Sequence, residues 1–241
     1  MKQKQIVIMT ALAVLTLGTT LAFGLTADGG GVVGSKHDMN VLQDANVKQD
    51  SQGRVCAFCH TPHHKLESTA LNYNPLWSHT INENAVLKTY QTVTFDSKDQ
   101  MSSTDPLTGP SRLCMSCHDG SIAVDQHYGI AGTAKKDSLS GDNFGEIAVY
   151  KTSDLSNDHP IGFDLDGISS RDAGIRTALA TSNIKLAGKN IQDLGFKTGV
   201  GSVSIMTCAS CHDVHNRDNV DTAFLYEKQQ DSAFCLMCHD K

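Results

Sequence analysis

The chain has 241 residues, a length for one domain or two small ones, and sets 20 Lys+Arg against 26 Asp+Glu for a formal net charge of −6. An acidic chain makes nucleic acid a poor partner and leaves attraction to cationic patches. With one Trp, 6% aromatic residues and few large aliphatics, the polypeptide by itself would bury only a weak core.

Lys2 and Lys4 precede an apolar run from Ile6 to Phe23, and Ala22 and Gly24 offer small residues for cleavage. Residues 1–24 therefore read as a secretory signal peptide, with an uncleaved anchor helix as the alternative. Cleavage removes two lysines and no acid, which takes the net charge to −8. No second run of membrane-spanning length follows, so residues 25–241 are expected as a single exported domain with no membrane span.

A Gly-rich leader, Asp28 to Gly31, runs into Ser35-Lys36-His37-Asp38, and the weakly periodic segment Met39 to Arg54 is expected to wrap the group held by the next stretch. That stretch is Cys56-Ala57-Phe58-Cys59-His60, followed by Thr61-Pro62-His63, where Pro62 stops a long helix. Its pattern recurs at Cys114 to His118, Cys208 to His212 and Cys235 to His239, using all eight cysteines. Two thiols three positions apart reach the two vinyl groups of one haem, and the adjacent imidazole reaches its iron, so each copy reads as a c-type attachment site. Zinc cages do not require a His directly after each Cys pair, thioredoxin-type dithiols come singly near a βαβ pattern, and disulfides across so short a spacing stabilise little. Four covalent haems are expected, attached by Cys56, Cys59, Cys114, Cys117, Cys208, Cys211, Cys235 and Cys238. As large apolar groups they would form much of the core, each adding two propionates.

Between the first two motifs, Tyr90 to Phe95 is β-prone, with Gln91, Val93 and Phe95 on one face. Asp105-Pro106 and Gly109-Pro110 are turn punctuation. The interval from Cys117 to Cys208 holds the polar loop Asp154 to Pro160 and a possible helix over Ser170–Ala180, and is a place where an insertion could define a subunit surface. Val203 and Ile205 suggest a strand. Ala223 to Lys228, between the last two motifs, suggests a helix, and those motifs start only 27 positions apart, so their haems should be neighbours. Motif starts are separated by 58, 94 and 27 residues, which argues against a solenoid. The fold class expected is mostly irregular coil with short helices and a few short strands, organised by haem.

His60, His118, His212 and His239 are the expected proximal ligands. His37, His63, His64, His79, His127, His159 and His215 remain, more than four irons need for bis-histidine ligation. His63 and His215 each follow a proximal His by three positions and so share its face, which means that each must serve a different haem from its neighbour. Pro160 restricts His159 to an extended backbone that could aim its ring inward. His37, His63, His159 and His215 are the candidate distal ligands, His79 is the reserve, and His64 and His127 read as surface. Met115 and Met237 lie inside their own attachment loops, and bis-His iron would sit at lower potential than His/Met iron.

Together Ser35 to Asp38, Cys56 to His63, Pro75-Leu76-Trp77, Ser111 to Gly120, Asn157 to Pro160 and Cys208 to His215 resemble multihaem cytochromes of the doubled C-x-x-C-H family. The pattern is most similar to the extracellular tetrahaem cytochromes of metal-reducing bacteria that polymerise into nanowires, the OmcE-like type. The resemblance implies a little-structured polypeptide around a continuous haem chain, self-association into filaments with an axial His shared between subunits, redox partner proteins, and external acceptors such as metal oxides. By that similarity the crossing ligand is His63, with His37 second. The expected function is electron transfer at the cell surface or outside it. A monomeric periplasmic shuttle shares every motif, and a multihaem reductase would need an iron with an open site.

Overall fold

The computed structural model describes residues 30–41, 47–63, 67–83, 88–90, 92–100, 106–134, 154–197, 203–218, 220 and 223–240. The expected signal segment, together with His64, Gln91 and Met101, lies outside them. Most of the described chain is irregular. Its strands are two residues long: β1 (Lys88–Thr89) pairs in parallel with β2 (Asp154–Leu155), and β3 (Phe196–Lys197) pairs antiparallel with β4 (Ser204–Ile205). The helices are α1 (Pro110–His118), α2 (Ile168–Arg171) and α3 (Ala233–Leu236), and single 3-10 turns form at Val55–Phe58 and Cys208–Ser210.

Helix α1 carries the second motif, and its ends follow from sequence. Pro110 at the first turn spares an N–H that has no intrahelical acceptor. Gly109 before it has φ 59°, and a Cβ there would meet the Phe196 ring at 2.5 Å. Gly120, with φ 72°, closes the other end.

Elsewhere, buried carboxylates take over the work of regular hydrogen bonding by accepting successive backbone N–H groups. Asp38 accepts from Gly34 and Asn40, and Asp125, 1% exposed, accepts from Lys48, Thr133 and Ala134. Asp50 accepts from the N–H groups of Gln52 and Arg54 and from the Arg54 guanidinium, which holds its carboxyl well below the usual range. Asp213 repeats the arrangement with Arg217.

Three apolar clusters lie among these loops. The largest joins Phe95, Phe163, Leu165, Ile168, Leu179, Leu186, Ile191, Met206 and Met237. Residues 154–197 are thus packed against the last motif, where the sequence suggested a surface-defining insertion. A second cluster sets Met39 and Val47 on Phe58, so the segment before the first motif does pack on it.

Three expected elements take another form. Residues 92–95 make a turn closed by Phe95 N–H on Thr92 C=O, leaving Val93 89% exposed, because only Phe95 finds apolar neighbours. The expected helix over Ser170–Ala180 stops at Arg171, since the Arg176 and Ala180 N–H groups donate to Cys238 and Met237. Residues 223–226 are extended along the third motif instead of helical. The strand expected at Val203 and Ile205 is present as β4.

Candidate haem-binding sites

The first, third and fourth motifs are built on one local frame. In the first, His60 is bridged to Trp77, with Thr61 N–H donating to Leu76 C=O (2.7 Å) and Ser78 N–H to Cys59 C=O (3.0 Å). In the third, His212 is bridged to Leu225, with Asp213 N–H on Phe224 C=O (2.7 Å) and Tyr226 N–H on Cys211 C=O (3.2 Å). In the fourth, His239 is bridged to Ile175, with Asp240 N–H on Gly174 C=O and Arg176 N–H on Cys238 C=O (both 2.8 Å). An extended strap therefore clasps each of these histidines by its backbone. In the first two straps the middle residue is left-handed, Leu76 at φ 56° and Phe224 at φ 60°. Among the described residues the second motif has no such strap, and it lies in α1.

The strap also orients the ring. His60 Nδ1 lies 2.8 Å from Pro75 C=O and His212 Nδ1 lies 2.7 Å from Ala223 C=O. A carbonyl only accepts, so each Nδ1 carries the proton and Nε2 presents its lone pair, the tautomer and outer contact typical of a metal-bound His. His159 Nδ1 is engaged likewise by Pro160 C=O at 3.0 Å. Burial, with His37 and His212 beside it, lowers His118 to about 4, which keeps it in the neutral form that ligates.

Three pairs of imidazoles face each other at nearly one distance: His37 and His118 at 6.2 Å, His159 and His239 at 6.3 Å, His60 and His215 at 6.4 Å between ring centroids. Two metal–imidazole bonds of about 2 Å end to end, plus the reach from each nitrogen to its ring centre, amount to about 6 Å. Each pair combines one His of a Cys-x-x-Cys-His motif with one spare His. The residues fit a haem iron gripped from both sides. His37 is steadied by Phe224, stacked on it at 4.7 Å, and burial lowers its pKa further.

The thiols fix the order of the motifs. Cys59 has Cys117 as an electrostatic neighbour, Cys114 hydrogen-bonds Cys208, and Cys211 has Cys238 as a neighbour. Ser111 in α1 also accepts the Cys208 N–H at 3.1 Å. Consecutive motifs are therefore adjacent, first to fourth. All eight thiols are free, and burial pushes Cys59, Cys117 and Cys211 up to about 12 and Cys238 to about 11. Cys208 is shifted the other way, to about 7, by its hydrogen bonds with Cys114 and Ser111, and among the described residues no three metal-binding side chains converge.

The remaining histidines differ in kind. His63 is exposed and has no ring partner among the described residues. His79, the reserve candidate, is fully buried with Nε2 2.8 Å from Ala123 C=O and Nδ1 3.0 Å from Thr80 C=O, so both nitrogens are taken by protein. His127, expected at the surface, is 3% exposed, tilted against Phe58 at 4.4 Å with Nε2 3.5 Å from Asp50. Phe58, inside the first motif, and Asp50 supply His127 with an apolar face and a carboxylate that sequence spacing did not reveal. Met39, Met115, Met206 and Met237 are buried among apolar side chains.

A family model described as the doubled CXXCH motif matches residues 201–241, which hold the third and fourth motifs. No curated protein matches the chain. The chain carries a multihaem c-type cytochrome motif, which points to covalent haem and electron transfer. Such haem is attached outside the cytoplasm, and among the described residues no helix is long and apolar enough to cross a membrane.

Proposed function

We propose that this chain is an electron-transfer protein with four covalent haems, each held between two histidines, and that it is the subunit of an extracellular filament that passes electrons to external acceptors such as metal oxides. The observation that carries this reading is the set of three facing His pairs at 6.2–6.4 Å. The haem, when bound, supplies one-electron chemistry. The chain's own part is to clasp the proximal rings, fix their tautomers, and keep motif next to motif. Imidazole on both faces of an iron offers no position to a substrate, which counts against a multihaem reductase.

The fourth iron leads to the filament. His212 has its Nδ1 on Ala223, and neither it nor the exposed His63 has a facing imidazole among the described residues. The first and third motifs share one frame, so His63 stands to His60 as His215 stands to His212. His215 reaches across to the iron site of His60, and by the same relation His63 reaches the iron site of a His212. A self-complementary exchange would close both pairs within one chain. Here one half is closed and the other is free, and a relation repeated head to tail between copies gives an open polymer. We therefore assign His63 to the His212 iron of the next copy, while His37, the second candidate for the crossing, pairs with His118 in its own chain.

His63→Ala tests the assignment. The variant is expected to keep four covalently attached haems, lose its filaments under electron microscopy, and show one high-spin iron in four. Intact filaments with unchanged spectra would refute the crossing ligand, and single chains with four low-spin irons in the parent protein would make it a shuttle.

A further inference from the structure

Thr61 and Trp77 flank His60 on the two sides of its strap. Thr61 follows His60 directly, and Trp77 is its bridge partner, with the indole edge-on to the imidazole at 5.9 Å and 87°. The backbone needs of both are met, Thr61 N–H by Leu76 C=O and Trp77 N–H by Asn74 Oδ1 (2.8 Å). Their side chains are another matter. Trp77 Nε1 and Thr61 Oγ1 are both shut off from solvent and have no hydrogen-bond partner among the described residues.

A buried donor without an acceptor is costly, and native folds rarely leave two beside each other unless something else completes them. Of the other orphans among the described residues, His127 Nε2 lies 3.5 Å from the protein's own carboxylate Asp50, and Asn40 Nδ2 belongs to an amide whose oxygen accepts the Asp50 N–H. The group attached through Cys56 and Cys59 brings acceptors of a single strong kind, its propionate carboxylates, once its iron is filled by two imidazoles. A carboxylate bonded by an indole N–H and a hydroxyl forms charge-assisted bonds, about twice as strong as neutral ones.

We propose that the Trp77 indole N–H and the Thr61 hydroxyl donate to a propionate of the haem attached at Cys56 and Cys59. They are positioning residues, acting through that carboxylate on the iron's potential. The proposal rests on the haem reading above. Donation draws negative charge away from the iron and so disfavours the ferric state; loss of a donor lowers the potential.

The test uses the full-length exported holoprotein, with potentiometric titration followed by visible absorbance and resonance Raman of the propionate bending modes. Trp77→Phe keeps the ring and loses the N–H, Thr61→Val keeps the shape and loses the hydroxyl, and Thr61→Ser restores it. One haem component is expected to fall in potential in Trp77→Phe and in Thr61→Val, with a shifted propionate band. Thr61→Ser should return to the parent value, and every iron should stay low-spin. If neither variant moves any component, or if Thr61→Ser moves it as far as Thr61→Val, the proposal is overturned. The Thr61 pair decides alone should Trp77→Phe not accumulate. A parent protein without low-spin haem brings down the underlying reading and the proposal with it, a result distinct from unmoved potentials in intact holoprotein.

Discussion

Glu227 offers the sharpest energetic test of how a chain with so little regular structure is held together. It is 3% exposed and accepts hydrogen bonds from five donors: Thr181 hydroxyl (2.6 Å), Ser182 N–H (2.8 Å), Ser182 hydroxyl (3.0 Å to Oε1 and 2.9 Å to Oε2), Asn183 N–H (3.1 Å) and Lys228 N–H (3.0 Å). Burial alone would raise its pKa, but the donors outweigh it and bring the carboxyl from 4.5 down to about 2. At about 1.4 kcal/mol per unit, that displacement caps the contribution at about 3 kcal/mol. The layer of protein over the carboxylate is thin, so screening by nearby water reduces it to about 1–2 kcal/mol. The folded pKa lies below the unfolded one. The stabilisation is therefore complete above pH 4.5 and lost as pH falls from there to about 2. Glu227→Gln removes the charge and keeps the size. Guanidinium unfolding of the holoprotein at pH 7 is expected to show a deficit of about 1–2 kcal/mol or slightly more, because the amide nitrogen must face donors. At pH 2.5 most of the difference from the parent should be gone. Equal stability at pH 7, or a deficit that persists undiminished in acid, would refute the reasoning.

Two comparisons separate ligand from scaffold. His37→Ala should turn one iron high-spin, seen in the visible and electron paramagnetic resonance spectra, whereas His79→Ala should leave every iron low-spin and cost about 1–3 kcal/mol for the buried Ala123 carbonyl it strands. In the straps, Leu76 is 43% exposed at φ 56°, so Leu76→Gly trades relief of about 1 kcal/mol against a similar loss of chain entropy and should stay within about 1 kcal/mol of the parent. Phe224→Gly has the same backbone benefit but loses a buried ring stacked on His37, and should cost about 3 kcal/mol in thermal or denaturant unfolding.

What could be read in the sequence was what chemistry confines to neighbouring residues. A thioether pair and its iron ligand must fall within five positions, so the four attachment motifs and their proximal histidines are visible without a fold. The alternation ending at Ile205 is an equally local signal and its strand is present, whereas Gly109-Pro110, read only as turn punctuation, opens α1. The helices expected at 170–180 and 223–228 were misjudged for a common reason. Each window has acceptable helix propensity, but its N–H groups are wanted elsewhere, by carbonyls of Cys238 and Cys211 in the attachment motifs. Propensity is a weak prior against a tertiary acceptor that makes a bond and also clasps a ligand.

The straps explain why no repeat was apparent in a chain that contains one. Trp77 comes 17 positions after His60, Leu225 comes 13 positions after His212, and Ile175 comes 64 positions before His239. One three-dimensional frame is thus assembled from segments at three different offsets and on both sides of its motif, and its residues share no side-chain chemistry, because the frame uses backbone groups, with a left-handed middle residue in two of the three straps. Trp77, Leu225 and Ile175 need only be extended, and Leu76 and Phe224 need only tolerate positive φ. Side-chain identity becomes informative again where a ring must be met, as with Phe224 under His37 and His215 across from His60. The distal histidines are non-local for the same reason that they are informative. His215, which follows the third motif, meets His60 of the first, so this facing pair also ties two distant parts of the chain together.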